Sequence, residues 1–387
     1  MRFPSIFVSL LNRRQLLYAS LFFTILVLPV RAQWYPSTLL SSPVLSATDS
    51  NRLLLRTDMT GFFKNNEYFS PVAVGQTLPG VASTFALGYQ VSGKFKAELG
   101  TYFVKYSGRN SLENLQTFVR LQYAMTPKFN MVLGNIYGGV NHRLIEPLYQ
   151  WERHFTDHPE SGLQLVLHTD RWFVDTWVDW QHFIQRGDPV PEVLTFGTSV
   201  TGRLTGDDSR FSLTVPLQVL IHHHGGQIDT SDEPMIVLGN MATGLCSRMN
   251  IGELVKSAGF DVYLAGYWDR YSNEALRPFN KGWGVYPVLH LDISPVKLML
   301  GYWYADKFHA FEGEPLFGSF DPYNPQKQLP TRNLLTSKFA FEKQIYKNLS
   351  VGAQVEIYTD LNRGETDYSF GVHLRFNHPF LLNNFQK

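Results

Sequence analysis

The sequence has very little cysteine and almost no net charge. Cys246 is the single cysteine among 387 residues, which excludes a fold held together by disulfide bonds. The 34 lysines and arginines nearly balance the 33 aspartates and glutamates, so that the formal net charge is +1. Domains that bind nucleic acid usually carry an excess of basic residues. The composition therefore gives no indication of a nucleic-acid partner.

Long apolar runs are also missing beyond the N-terminus, where no segment approaches the roughly 18 apolar residues of a membrane-spanning helix. At the N-terminus, Arg13 and Arg14 precede an apolar run over residues 16–28, and a small-residue Val-Arg-Ala site ends at residue 32. The apolar run is too short for a membrane span, and its flanks are typical of a cleaved signal. The pattern predicts a secretory signal peptide over residues 1–32, with an uncleaved anchor as the alternative.

What the chain does have is an alternation of apolar and polar residues. In the stretch from Tyr368 to Phe376, every second residue is apolar, and the residues between them are Ser369, Gly371, His373 and Arg375. A period of two residues predicts a β-strand with one apolar face and one polar face. The aromatic content of 14% also suits a protein made of many strands.

The same alternation recurs along most of the chain and predicts an all-β protein with about sixteen strands, fourteen or eighteen being the alternatives. The predicted strands cover residues 52–63, 82–92, 94–106, 113–125, 128–137, 161–168, 171–184, 192–204, 208–222, 235–246, 257–270, 282–293, 296–309, 334–345, 349–359 and 367–377. Most have the length that a tilted strand needs to cross a bilayer.

The connections between these strands alternate in length. Short turns rich in Gly, Pro, Asn and Asp follow most even-numbered strands, whereas most long connections follow odd-numbered strands. Outer-membrane barrels have short periplasmic turns and long extracellular loops. The pattern therefore predicts a single transmembrane antiparallel up-and-down β-barrel with both termini in the periplasm.

The chain divides into four predicted parts on this interpretation. Residues 1–32 are the signal peptide, residues 33–51 a periplasmic N-terminal arm or a short plug, residues 52–377 the barrel, and residues 378–387 a C-terminal tail. A water-soluble β-sandwich is the alternative, because alternation alone fits both folds. The sorting of loops by length favours the barrel.

The polar faces of the strands carry ionised groups, which must face inward because a charge on the lipid side costs about 2–4 kcal/mol at the bilayer midplane. The predicted pore-lining residues are Arg56, Asp58, Lys96, Glu98, Arg120, Asp175, Asp179, Asp261, Asp269, Asp292, Lys338, Glu342, Glu356 and Arg375, with Arg203, Arg210 and Lys297 also predicted to face inward. One interpretation is a lumen of mixed charge whose residues pair across strands. The other is an electrostatic filter, with Asp175, Asp179, Asp261 and Asp269 forming an acidic stripe.

The last strand resembles the C-terminal assembly signal of outer-membrane β-barrels. Ser369, Gly371, Leu374 and Phe376 occupy the positions of that signal, although this chain continues beyond the final aromatic residue and Pro379 is placed to end the strand. Taken from signal peptide to last strand, the chain resembles the porin-like barrels of Gram-negative bacteria. The resemblance implies location in the outer membrane, export by the general secretory route, and recognition by the barrel-assembly machinery.

Two long connections carry most of the other candidate functional residues. The loop after the fifth strand holds His142, Arg143, Glu146, Trp151, Glu152, Arg153 and His154, and is interpreted as a constriction or partner-binding loop, or as an ordinary ordered loop. Residues 308–330, which are rich in proline and aromatics, are interpreted as a surface loop. His222 and His224 have the i, i+2 spacing of metal ligands on a strand, but no third ligand is evident and no metal is predicted.

These features predict a passive channel for small hydrophilic solutes. The alternative is a non-conducting barrel that serves as a subunit of an outer-membrane assembly, export or uptake complex, with its extracellular loops holding protein partners. An outer-membrane hydrolase is the enzyme alternative, and it would need a Ser, a His base and an orienting polar group within hydrogen-bond reach. No Gly-x-Ser-x-Gly motif occurs, and the sequence alone does not show whether its scattered Ser and His residues converge. The sequence therefore predicts that the protein is not an enzyme, that it needs no cofactor, and that its surroundings are outer-membrane lipid.

Overall fold

The computed structural model describes residues 36–41, 43–45, 47–206, 209–271 and 276–385. The predicted signal peptide lies outside the described residues. Within them, no helix is both long enough and apolar enough to cross a membrane.

Sixteen antiparallel strands close into one barrel. They are β1 (Arg52–Glu67), β2 (Thr77–Ser92), β3 (Phe95–Tyr106), β4 (Glu113–Thr126), β5 (Phe129–Asn135), β6 (Ser161–His168), β7 (Trp172–His182), β8 (Val193–Arg203), β9 (Phe211–His224), β10 (Ile236–Asn250), β11 (Ser257–Asp269), β12 (Lys281–Ile293), β13 (Val296–Asp306), β16 (Thr331–Tyr346), β17 (Leu349–Asp360) and β18 (Glu365–Asn384), while β14 (Phe320–Asp321) and β15 (Asn324–Gln328) form a separate hairpin. The predicted all-β barrel and its strand number are confirmed.

The barrel closes where β18 pairs with β1. Thr60 lies opposite Arg375, and the pairing continues down to Arg52 opposite Asn384. The predicted end of the last strand at residue 377 is wrong, because residues 378–384 of the predicted tail continue β18. Pro379 does not end the strand. β17 stops at Leu349, opposite Phe376, so Pro379 lies where β18 has a strand neighbour on one side only, a position that tolerates proline.

The connections are sorted between the two rims of the barrel as predicted. One rim carries the short turns 93–94, 127–128, 169–171, 204–210, 251–256, 294–295 and 347–348, while the other carries the connections 68–76, 107–112, 136–160, 183–192, 225–235, 270–280, 307–330 and 361–364. The first residue of β1 and the last of β18 lie on the short-turn rim, as expected for an up-and-down barrel. Counted along the second rim, residues 136–160 are loop L3 and residues 307–330 are loop L7.

The outer surface is apolar and the inner surface is polar. On β7, Trp172, Val178 and Trp180 face outward, whereas Asp175 and Asp179 are buried inside. Trp172 and Trp180 lie at opposite ends of β7, where aromatic residues are typical of the two membrane interfaces. The single closed sheet excludes the two-sheet sandwich, and its apolar outer surface is suited to lipid.

The lumen of the barrel is filled by the chain itself. L3, L7 and the N-terminal segment (residues 36–41 and 43–45) all contact the inner wall, and Leu148, Leu316 and Phe317 have no solvent exposure. The interpretation of residues 308–330 as a surface loop is wrong for residues 308–321, most of which are buried, and holds for the hairpin around Tyr323, which is 95% exposed. Phe308, Leu316 and Phe317 of this loop pack against Trp303 and other inward side chains, because burying several aromatic residues is more favourable than exposing them.

The inside-outside arrangement predicts a large cost for one substitution. Leu264 faces outward near the middle of β11, and we expect Leu264→Arg to lower the free energy of unfolding by about 2–4 kcal/mol, because the charge would lie in hydrocarbon. The measurement is reversible denaturant unfolding in lipid vesicles. Leu254→Arg, in the exposed 251–256 turn, is the matched control and should have little effect. Equal effects of the two variants would contradict the predicted position of the bilayer.

Candidate functional site

All the predicted pore-lining residues lie on the inner side of the wall, and most of them pair with a neighbour. The cross-strand and same-strand pairs match the interpretation of a lumen of mixed charge. The residues are Arg56, Asp58, Lys96, Glu98, Arg120, Asp175, Asp179, Asp261, Asp269, Asp292, Lys338, Glu342, Glu356 and Arg375.

Asp175 and Asp179 lie on β7, whereas Asp261 and Asp269 lie on β11, with three strands between them. Asp261 contacts His290 at 2.9 Å, and Asp269 is paired with Arg277. The four carboxylates therefore do not form the acidic stripe considered above.

Near the short-turn rim, Arg375 fixes the N-terminal segment. Its guanidinium lies 2.8 Å from Asp58 on β1 and donates to the backbone carbonyls of Thr38 and Leu40 at 3.1 Å. Thr38 also donates its hydroxyl to Glu342 at 3.0 Å. Residues 38–41 of the segment 33–51 thus lie inside the barrel, where a short plug would be.

The centre of the lumen contains a buried network of lysines and glutamates. Lys64 Nζ lies 3.0 Å from Glu152 and 3.1 Å from Glu356, and Lys338 Nζ lies 2.7 Å from Glu356 and also contacts Glu146. Buried charges are tolerated only when they are paired. Since Glu146 and Glu152 belong to L3, the network fastens L3 to β1, β16 and β17.

Two members of the inner wall were missed by the sequence interpretation. Lys64 lies one residue past the predicted end of the first strand, and Arg332 lies before the predicted start of the strand at 334. Arg332 is fully buried, pairs with Asp360 at 2.7 Å, and donates to the carbonyl of Leu316 in L7 at 2.8 Å. The alternation of polar and apolar residues continues through both positions, and this pattern could have placed both residues on the inner face.

The remaining candidate residues of L3 contact different partners and do not converge on one point. Arg143 lies 3.9 Å over the ring of Phe173, and Trp151 donates its indole N–H to Glu356 at 3.2 Å. Arg153 pairs with Asp157 at 2.6 Å within L3. The structure therefore places L3 inside the lumen, where a constriction loop would lie; its functional role stays a prediction.

His142 connects the two ends of L3 to the wall. Its Nδ1 lies 2.8 Å from Asp175 on β7, its Nε2 lies 2.7 Å from Glu160 at the end of L3, and its ring stacks on Trp177. Burial lowers the pKa of His142, but the carboxylates of Glu160 and Asp175 outweigh burial and raise the pKa to about 10. The imidazole is therefore charged at neutral pH and clamps L3 electrostatically.

A polar cavity of about 480 Å³ lies between L3 and the wall formed by β1 to β4 and β7. L3 contributes His154, His158 and Glu160 to its lining, β7 contributes Asp179, and L7 contributes Glu312. Gly138 in L3 allows the close approach, because a Cβ there would lie 2.5 Å from the Glu160 carboxyl carbon. Imidazoles and carboxylates in a confined site are the groups that perform general acid–base catalysis.

His222 and His224 are not part of this cavity lining. His222 stacks on Phe311 and contacts the Thr195 hydroxyl at 3.2 Å, while His224 contacts Glu233 at 2.9 Å. Among the described residues, no group of three or more His, Cys, Asp or Glu side chains is placed to hold a metal ion. The structure brings no third ligand to this pair.

The closed barrel, the apolar outer surface and the lumen filled by its own loops define an outer-membrane β-barrel protein. A profile of the Lipid A 3'-O-deacylase-type family matches residues 45–385. The chain belongs to this family. No curated protein matches its sequence.

Solved structures of outer-membrane proteins align with most of this chain. OprD of Pseudomonas aeruginosa has 7% identity and a TM-score of 0.49, with 88% of this chain and 98% of that chain covered. OccAB4 of Acinetobacter baumannii has 8% identity and a TM-score of 0.48 over 87% and 100%, and a loop L8 deletion mutant of Vibrio cholerae OmpT has 12% and 0.46 over 84% and 99%. At these identities and TM-scores the likeness carries no argument about function.

The family match corrects one sequence prediction. The chain was predicted not to be an enzyme, and this is wrong, because the family to which it belongs is named for an enzyme that removes acyl groups. An active site was difficult to recognise in the sequence, because the residues that line the cavity come from separate segments. Only the folding of L3 and L7 into the lumen brings them together.

The His142 clamp predicts that L3 loosens as the pH rises. Because the pKa of His142 is raised in the folded protein, its stabilisation is complete below the unfolded value of about 6.5 and is lost as the pH rises through about 10. We expect trypsin to cleave after Arg143 or Arg153 faster at pH about 9.5 than at pH about 7, relative to a peptide standard. The His142→Gln variant should be cleaved fast at both pH values, whereas the His168→Gln variant should be cleaved as the wild type is. Cleavage that is independent of pH in the wild type would contradict the clamp.

Proposed function

We propose that the protein is an outer-membrane deacylase that hydrolyses an ester-linked acyl chain of a lipid A-type glycolipid. The observation that carries this proposal is the family match, which spans residues 45–385 and hence the whole barrel. Ester hydrolysis needs a water molecule, a group that takes its proton, and polar donors near the developing oxyanion. The polar cavity beside L3 offers such groups.

His158 is the proposed general base. It is exposed and lines the cavity, so a water molecule can reach its imidazole. His154 lines the same cavity, but burial lowers its pKa to about 4, which makes it a weak base at neutral pH. Arg153 also lines the cavity, and its guanidinium, which pairs with Asp157, is the proposed partner for negative charge on the carbonyl oxygen.

The test is hydrolysis by the purified, folded barrel in vesicles that contain a lipid A-type glycolipid. We expect mass spectrometry to show a product lighter by one acyl chain, and His158→Gln to slow its formation by about 100-fold or more. His168→Gln, an exposed histidine at the other end of β6, is the control and should retain the rate. No product from a barrel with normal heat-modifiable gel mobility would overturn the deacylase, and full activity of His158→Gln would overturn the role of that residue.

A passive channel, as predicted from the sequence, would need a continuous aqueous path. In the described part of the chain, the N-terminal segment, L3 and L7 occupy the lumen, and buried side chains such as Leu148 and Phe317 pack there without solvent exposure. This filling supports a barrel that does not conduct. We expect no stepwise conductance from the wild type in planar bilayers. Stepwise conductance of the intact protein would favour the channel.

The biogenesis of the barrel is part of the same proposal. We propose export by the general secretory route and insertion by the barrel-assembly machinery through Ser369, Gly371, Leu374 and Phe376. Ser369 and Gly371 face the lumen and Leu374 faces outward. This alternation supports recognition of the terminal strand along its edge by the barrel-assembly machinery. Outer-membrane lipid is the proposed surrounding, and protein partners of the extracellular loops remain a prediction.

A further inference from the structure

At one place on the long-loop rim, two strands of the barrel wall end well before their neighbours. β5 (Phe129–Asn135) is only half as long as β4, which spans Glu113–Thr126. β4 pairs with β5 only from Thr126 up to Arg120, whereas it pairs with β3 up to Glu113. Residues 113–119 of β4 therefore have a strand neighbour on one side only.

The other flank of this gap is the end of β7. β6 pairs with β7 only as far as Gly162 opposite Asp179, whereas Trp180 and His182 still pair with β8. The space between residues 113–119 and residues 180–182, above the ends of β5 and β6, is the wall notch. Part of its exposed backbone is satisfied locally, since the Asn135 side chain accepts from the Val119 N–H at 2.8 Å.

The cavity reaches the wall notch from inside. Its lining includes Gln116 on one flank, Trp180 and Gln181 on the other, and residues 157–160 of L3, which cross between them. Trp180 has its side chain on the outer face of β7, where 44% of it is exposed. Because residues from both flanks line one cavity, the cavity reaches the gap between them.

The outside of the wall notch is apolar. Leu115 on β4 is 62% exposed, and Val119, Leu133 and Leu163 are also exposed beside or below the gap. Such side chains face hydrocarbon in a transmembrane barrel. The wall notch lies toward the long-loop rim, so it opens on the leaflet at the extracellular side.

We propose that the ester group of a membrane lipid reaches the polar cavity sideways through the wall notch, while its acyl chain stays in the extracellular leaflet. This rests on the proposed function, since a deacylase must bring an ester bond of a membrane-bound lipid to its polar groups. Lateral entry keeps the chain in an apolar environment, whereas entry from the rim would expose every methylene group to water. The ester, at the junction of chain and head group, would then lie near His158 and Glu160.

The test places a photo-reactive amino acid at Gln116, which lines the cavity on a notch flank, and illuminates the full-length protein in its native membrane. Leu264, which faces lipid on β11, is the positive control. Arg248, which faces the lumen at a position where β10 pairs with both β9 and β11, is the negative control. We expect cross-links to lipid at Gln116 that approach those at Leu264 and exceed those at Arg248 by at least about tenfold.

Two results would overturn lateral entry. The first is the absence of lipid cross-links at Gln116 while Leu264 is labelled, and the second is equal labelling at Gln116 and Arg248. If the Gln116 variant lacks the heat-modifiable mobility of a folded barrel, Gln181 on the opposite flank takes its place with the same expected result. Cross-linking does not require turnover. Lipid cross-links without deacylation would therefore reject the proposed function, whereas deacylation without cross-links would reject lateral entry alone.

Discussion

The filled lumen depends on the buried carboxylate of Glu356. It lies between the ammonium groups of Lys64 and Lys338, accepts the indole N–H of Trp151, and accepts the Ser369 hydroxyl at 2.7 Å. Removing one partner of a buried pair leaves an uncompensated charge, at a cost of about 3–5 kcal/mol. This network fixes the position of L3. L3 in turn determines the shape of the cavity and crosses the wall notch.

The strands were predictable because a membrane enforces their pattern. A residue on a barrel strand faces either hydrocarbon or the polar lumen, so the period of two is strict, and the strand at 161–168 was predicted with its observed ends. The boundaries failed where this constraint weakens. β1 continues past its predicted end at residue 63 and includes Lys64. β18 continues past Pro379 on the short-turn rim, where both faces of the strand carry exposed apolar residues.

The site was not predictable in the same way. Loops have no period, so nothing in the sequence distinguishes a loop that folds into the lumen from one that projects into water. His142 meets an aspartate 33 residues away, and Trp151 meets a glutamate 205 residues away. The individual residues were recognised as candidates, but their contacts arise from the closed barrel. The proposed acid–base site comes from L3, β7 and L7 and therefore leaves no compact motif, and for this reason the enzymatic class was missed.

The lumen network also constrains the order in which the protein folds. Its bonds join Glu146 to Lys338 and Tyr358, partners 192 and 212 residues apart. Closing such long segments has a large entropic cost, which falls only after the intervening strands have paired. We therefore expect L3 to dock late, when the wall around it is nearly complete. A newly inserted barrel would pass through a hollow state, and the chain would seal its own interior as the last step of maturation.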